Sequence, residues 1–193
     1  MKTYVILLRG VTPTGKNQVL MEPLRAALEK TGLKDVRTYI QSGNVVAASH
    51  LTKPALEKLV HDVIEHRFGG DIAVLARTAS EFTNLLARNP FRHADTSRLY
   101  FTLLAGMPDA RLVKAFLAPG YAPDKVKVIE DMAYILCATK YSDLKINNNF
   151  IERKLKIAAT TRNYNTVSKL VELSTAHHPG RPLLTERADH AAQ

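Results

Sequence analysis

Apolar runs of strand length alternate along the chain with segments whose apolar residues recur every three to four positions. Residues 2–9, with Tyr4-Val5-Ile6-Leu7-Leu8 at their centre, form a near-continuous apolar run, the pattern of a strand covered on both faces. A loop follows from Gly10 to Asn17. Met21, Leu24, Ala27 and Leu28 then fall at helical spacing up to Gly32, a natural stop because glycine accepts a left-handed backbone. Residues 36–41 alternate, with Val36, Thr38 and Ile40 set against Arg37, Tyr39 and Gln41. Ser42-Gly43 marks a tight turn, and Asn44 to Ala48 returns as the hairpin partner. Thr52 is placed to cap a helix bearing Leu56, Leu59, Val60, Val63 and Ile64, which Gly69-Gly70 ends; Ile72 to Ala76 reads as a closing strand. The order β-α-β-β-α-β predicts a ferredoxin-like plait, an antiparallel sheet with its helices on one face.

The rhythm then repeats. Thr78-x-x-Glu81 is a capping box for a short bridging helix with Phe82, Leu85 and Leu86, which Asn89-Pro90 stops. Leu99 to Leu104 read as a strand, and Asp109 caps a helix with Leu112, Val113, Phe116 and Leu117. Val126 to Ile129 and Met132 to Ala138 read as a hairpin turning at Glu130-Asp131. A helix around Phe150, Ile151 and Leu155, a short run Ala158 to Thr161, and a last helix with Val167, Leu170 and Val171 complete the series. The fold class expected is α+β, two tandem ferredoxin-like α/β plaits with antiparallel sheets plus a C-terminal helix. The expected division is 1–78, 79–178, and a tail over 179–193 that lacks periodicity and reads as disordered.

Composition narrows the class. Apolar residues make up 46% of 193, enough for a sizeable core, and no run approaches the roughly 18 residues a membrane helix needs. The opening apolar run is too short for a signal peptide, so a soluble, cytoplasmic protein is expected. The single cysteine, Cys137, excludes an internal disulfide, and its apolar surroundings suit packing rather than catalysis. The net charge is +9, and residues 140–169 hold seven Lys/Arg against two Asp/Glu. A local basic excess suits phosphates or nucleic acid, while solubility alone also explains it.

Three segments carry candidate chemistry. Gly10-x-x-x-x-Gly15-Lys16 nearly matches a phosphate-cradling loop, but Asn17 stands where Ser or Thr would bind magnesium, and Pro13 removes a backbone donor. The loop reads either as a connection with Asn17 as N-cap or as a simple anion site using Arg9, Lys16 and Asn17. Gln41, Ser42 and Asn44 sit at a hairpin tip, as turn formers or as ligand contacts. Thr161, Arg162, Asn163, Asn165 and Lys169 crowd the start of the last helix with more hydrogen-bonding groups than capping needs. Arg162 has a forked donor for phosphate or carboxylate, or for the backbone carbonyls that would tie the last helix to the core. Neither His177-His178 nor His61 with Glu65 has the ligand set of a metal site, and no cofactor is expected.

Several of these segments, in this order, resemble the domain of unknown function 1697 family. They are Leu7-Leu8-Arg9-Gly10, Gly15-Lys16-Asn17, Met21, Leu24-Arg25, Tyr39-Ile40-Gln41-Ser42-Gly43-Asn44-Val45, Asn89-Pro90-Phe91, and Ala159 to Val167 with Lys169-Leu170. Family members typically read Ile-Asn-Val-Gly-Gly where this chain has Val11 to Gly15, and Trp where Tyr164 stands. The resemblance implies a fold of two α/β plaits and transfers no activity. Two readings of function follow. One is a binding module for nucleic acid or a phosphorylated ligand. The other is an enzyme acting on a small anionic metabolite between the two halves, with Arg9, Lys16, Gln41 and Arg162 positioning it.

Overall fold

The computed structural model describes residues 1–176 apart from Pro13 and Lys16, so the expectations for Lys16, His177-His178 and the tail lie outside the described residues. The described residues form six α-helices and two four-stranded antiparallel sheets. The first sheet, in the order β2-β3-β1-β4, contains β1 (Lys2–Leu8), β2 (Lys34–Thr38), β3 (Asn44–Ser49) and β4 (Val74–Thr78). Helices α1 (Met21–Glu29), α2 (Lys53–Phe68) and α3 (Ala79–Ala87) connect and follow these strands. The second sheet, in the order β6-β7-β5-β8, contains β5 (Leu99–Leu104), β6 (Lys125–Ile129), β7 (Met132–Leu136) and β8 (Ala159–Asn163). With it come α4 (Ala110–Leu117), α5 (Asn148–Leu155) and α6 (Tyr164–Thr175).

The alternation of side chains along β1 decides the layering. Tyr4, Ile6 and Leu8 pack with Leu24 and Leu28 of α1 and Leu56, Val60 and Ile64 of α2. Val5 and Leu7 face the other way, into a cluster with Phe82 and Leu85 of α3, Val167 and Leu170 of α6, and Phe101, Leu103 and Tyr134 of the second sheet. On the far side of the second sheet, Leu104 and Ile135 pack with Phe116 of α4 and Ile151 and Leu155 of α5. The result is five layers, with α3 and α6 in the middle one. The uninterrupted apolar run of β1 is thereby accounted for, since Tyr4 to Leu8 are all buried. Within residues 1–78 both helices lie on one face of the sheet, as expected, while α3 and α6, from later in the chain, cover the other face, so the second half has helices on both sides of its sheet.

Local signals hold in most places. The Thr78–Glu81 capping box forms with both of its bonds, Asp109 Oδ1 accepts from Arg111 and Leu112 N–H, and Gly69 (φ 72°) ends α2. Two differences bear on the site. The turn before β3 spans residues 40–43, with Ile40 at φ 46° and Gly43 at φ 74°. Asn17 does not cap α1, which starts at Met21 with Leu20 in the cap position. Gln41 replaces it from the neighbouring hairpin, accepting from Met21 N–H at 3.3 Å while donating to Val19 O at 2.7 Å.

Candidate functional site

The polar segments flagged in the sequence come together where the C-terminal end of β1 meets the turn at 40–43 and strand β8. Arg162 lies at the centre, 9% exposed. Its Nε–H donates to Oδ1 of Asn44, which is fully buried. Its Nη1 donates to Thr160 Oγ1 (2.8 Å) and Thr161 O (2.9 Å). Its Nη2 reaches Leu8 O (3.0 Å), Ser42 O (2.9 Å) and Gly43 O (3.0 Å). All five donors of the guanidinium are therefore engaged, and every one of these acceptors is a neutral oxygen. Burial pulls the Arg162 pKa down to about 10, opposed by the Tyr141 hydroxyl; the group stays cationic at neutral pH. Asn44 completes the cluster with its Nδ2, which donates to Tyr39 O (3.0 Å) and Ser42 Oγ (2.9 Å).

Arg9 makes a second tie. Its Nε (3.0 Å) and Nη2 (2.7 Å) grip the two carboxylate oxygens of Glu152 on α5, and Nη2 also reaches Asn149 Oδ1. Burial raises the Glu152 pKa, but the bonds from Arg9 and from Ala159 N–H (2.9 Å) outweigh it and hold the carboxyl below its usual range. The loop before α1 closes on itself: Thr12 N–H donates to Asn17 O (3.2 Å), and Asn17 Nδ2 to Gly10 O (3.4 Å). The first amide of α1 is held by Gln41 rather than open to an anion.

Of the remaining flagged residues, Thr161 borders the cluster and the others separate from it. Thr161 Oγ1 bonds Thr102 Oγ1 (2.7 Å) and Asn148 Oδ1 (2.5 Å). Asn163 caps α6, accepting from Thr166 N–H at 2.8 Å. Asn165 is exposed, and Lys169 pairs with Glu172 at 2.6 Å on the surface of α6. The structure thus joins Arg162, Asn44, Ser42 and Thr161 closely, places Arg9 and Gln41 at the rim, and leaves Asn165 and Lys169 apart.

Two arginines that the sequence reading passed over do similar work. Arg77 on β4 is 4% exposed, donates to Leu104 O at 2.6 Å and pairs with Asp131 at 2.7 Å. Arg37 on β2 donates to Leu173 O at 2.6 Å, near the end of α6. A charge inside the otherwise apolar Val74-Leu75-Ala76-Arg77 run was the available signal for Arg77. Between α3 and the β6–β7 turn lies a cleft of about 210 Å³ lined by Arg77, Arg88, Glu130, Asp131 and Tyr134, whose charges pair with one another. On α2, His61, Asp62 and Glu65 bring ligand-type atoms within 4.8 Å, but Asp62 holds Lys58 and His61 holds Asp71.

Charge is divided unequally between the two outer helix layers. On α1 and α2, Glu22–Arg25–Glu29 and Lys58–Asp62 are paired, Lys53 holds Glu81 of α3, and Glu57, Glu65 and Arg67 add two acids and one base. On α4 and α5, Arg111, Lys114, Arg153 and Lys154 face one carboxylate, Glu152, which Arg9 already occupies. Lys140, Lys145 and Lys156 flank α5. Arg153 and Lys154 sit 5.4 and 5.7 Å from the centroid of the half-buried Phe150 ring, which packs with Tyr121 and Phe116. No described helix is long and apolar enough to cross a membrane.

Comparison with known proteins matches this picture in fold. A solved structure, the conserved bacterial protein SP0830 from Streptococcus pneumoniae, superposes with a TM-score of 0.72 at 22% identity, covering 90% of this chain and 98% of that one. No curated protein matches the sequence. The model of the family described as protein of unknown function (DUF1697) matches residues 1–134, well over half of the chain. The protein is a member of the DUF1697 family.

Proposed function

We propose that this protein is a binding module for nucleic acid, and that it uses the outer face formed by α4 and α5. The observation that carries the reading is the uncompensated charge of that layer. Arg111, Lys114, Arg153, Lys154 and Lys156 have no ion-pair partner among the described residues; Glu152 on α5 is held by Arg9, and Asp109 is spent on the backbone amides that open α4. Phosphate backbones are bound by such charge through release of condensed counterions. The half-buried rings of Phe150 and Tyr121 beside the cations offer apolar surface of the kind on which bases stack. Arg9, Gln41 and Arg162 are engaged by protein atoms, which favours the outer face over the junction of the two halves as the binding surface.

In the same reading each half is a ferredoxin-like plait, residues 1–78 and 79–178 are the two units, and the protein works in the cytoplasm. The strand orders β2-β3-β1-β4 and β6-β7-β5-β8 support the first of these. Titrating labelled single-stranded and duplex oligonucleotides, with inorganic phosphate as control, at rising salt tests the function. Affinity for the oligonucleotides should fall steeply with salt, while phosphate should bind weakly at every salt concentration. Tight phosphate binding with little salt dependence would replace the polyanion reading with a single-anion pocket.

A further inference from the structure

The free edges of the two sheets are not treated alike. In an antiparallel sheet every second residue of an edge strand turns its N–H and C=O away from its neighbour, a template for another strand. Arg9 N–H donates to Ala73 O, so odd-numbered residues of β4 face β1 and Ala76 faces outward. Both groups of Ala76 are covered: its N–H donates to Glu57 Oε1 and its C=O accepts from Arg77, each at 2.7 Å. Ala105 N–H donates to Ala158 O, which turns Ala159 and Thr161 of β8 outward. There Glu152 takes the Ala159 N–H and Arg162 takes the Thr161 C=O, each at 2.9 Å. Strand β2 is broken by a bulge between Lys34 and Arg37, with Asp35 at φ 52°.

Strand β6 has none of these devices. Leu104 N–H donates to Asp131 O and Cys137 N–H to Arg98 O, so odd-numbered residues of β7 face β5 and even-numbered ones face β6. Lys125, Lys127 and Ile129 therefore pair with β7, and Val126 and Val128 direct their N–H and C=O outward. Among the described residues no side chain bonds to these four groups. A groove of about 500 Å³ runs along this edge, lined by Phe91, Leu117 and Tyr121 as well as by β6. Lys125 and Lys127 stand exposed on the strand. The nearby acids are committed elsewhere: Asp124 to Ala138 N–H (2.7 Å), Asp131 to Arg77, and Glu130 to Arg88.

We propose that β6 is a docking edge for an extended acidic peptide segment of a partner protein. The segment adds as a fifth strand, its backbone pairing with Val126 and Val128 and its carboxylates meeting Lys125 and Lys127. A second copy of this chain fits worse, because antiparallel pairing of two β6 strands sets lysine against lysine. Nucleic acid has no alternating N–H and C=O ladder to satisfy the edge. The groove shares Leu117 and Tyr121 with the border of the α4–α5 face, but its pairing groups are the backbone of Val126 and Val128, so peptide docking and nucleic-acid binding are lost through different changes.

The probe is a blocked seven-residue peptide alternating glutamate with valine, measured by calorimetry. Residues directly opposite in a pair share a face, so its valines align with Val126 and Val128, and its valine N–H groups point at the strand. N-methylation of the valine nitrogens should weaken binding at least tenfold, and methylation of the glutamate nitrogens should not. The Lys127→Glu variant should prefer the lysine–valine peptide. The proposal is overturned by any of three results: no binding at millimolar peptide, equal binding of the lysine–valine peptide to the wild type, or indifference to valine methylation. A dimer in sedimentation that Lys127→Glu strengthens, without peptide binding, would assign the edge to a second copy.

Discussion

Arg162 on β8 and Asn44 on β3 are 118 residues apart and meet between the two sheets, the guanidinium Nε–H donating to the buried amide oxygen. A cation enclosed by carbonyls, an amide and a hydroxyl, with no carboxylate among them, is held in place by the geometry of its five donors. That makes it a fastener of the two sheets.

Replacing Arg162 with lysine keeps the charge and discards the fork. The carbonyls of Leu8, Ser42 and Gly43 then share an ammonium that has fewer donors and no planar reach. Stability in urea denaturation should fall by about 2–4 kcal/mol, the scale of leaving buried polar groups under-satisfied. Oligonucleotide affinity of the folded variant should stay within about twofold of wild type, since under half a kcal/mol separates them. Intact stability with lost binding would return Arg162 to the ligand-contacting residues.

Gly43 faces the same joint from the turn. A Cβ there would lie 2.7 Å from Leu8 Cβ, on a backbone at φ +74°. Both the contact and the left-handed conformation oppose any side chain, so Gly43→Ala should cost about 1–3 kcal/mol by thermal or chemical denaturation. An unchanged melting midpoint would mean that the turn relaxes freely.

The Arg9–Glu152 pair predicts an acid-side signature. The folded-state pKa of Glu152 lies below its usual value of 4.5: burial raises it, and the bonds from Arg9 and Ala159 N–H lower it further. A depressed carboxyl contributes stability above the unfolded pKa and loses it as pH falls through the folded one. Wild type should therefore lose stability more steeply below about pH 4.5 than Glu152→Gln, which should be less stable at neutral pH by about 1 kcal/mol. Parallel curves of melting midpoint against pH would remove this role.

Cys137 is fully buried, and burial pushes its pKa up to about 11. An aromatic disulfide reagent at mildly alkaline pH should modify it at least about a hundredfold more slowly in the native protein than in urea. Equal rates would place the thiol at the surface.

The sequence pattern carried the elements well because their signals are local. The Thr78–Glu81 box, the Asp109 cap and the turn at Glu130-Asp131 each need only a few adjacent residues, and each stands where the pattern put it. The doubly apolar run of β1 announced two covered faces, yet not which helices cover the second one, because α6 returns from the far end of the chain. The candidate site was found as separate segments for the same reason. Arg162, Asn44 and Ser42 stood out as an excess of polar groups, while their use as one another's partners depends on contacts more than 100 residues apart. Asn17 was misplaced as a cap because Gln41, on another hairpin, takes the first amide of α1. The charge contrast between helix layers could not be read before the layers were known.

The binding claim is tested most directly by the salt dependence of affinity for a labelled single-stranded RNA, measured for wild type and for the triple variant Arg153→Gln, Lys154→Gln, Lys156→Gln. These side chains lie on or just after α5, and no described carboxylate pairs with them. If phosphates are neutralised on this face, log affinity falls linearly with log salt, and the variant should lose about 0.7 of slope for each contact removed, about 2 in total, with its melting midpoint unchanged. A variant with the wild-type slope and affinity, or a wild type that does not bind RNA even at low salt, would contradict the account.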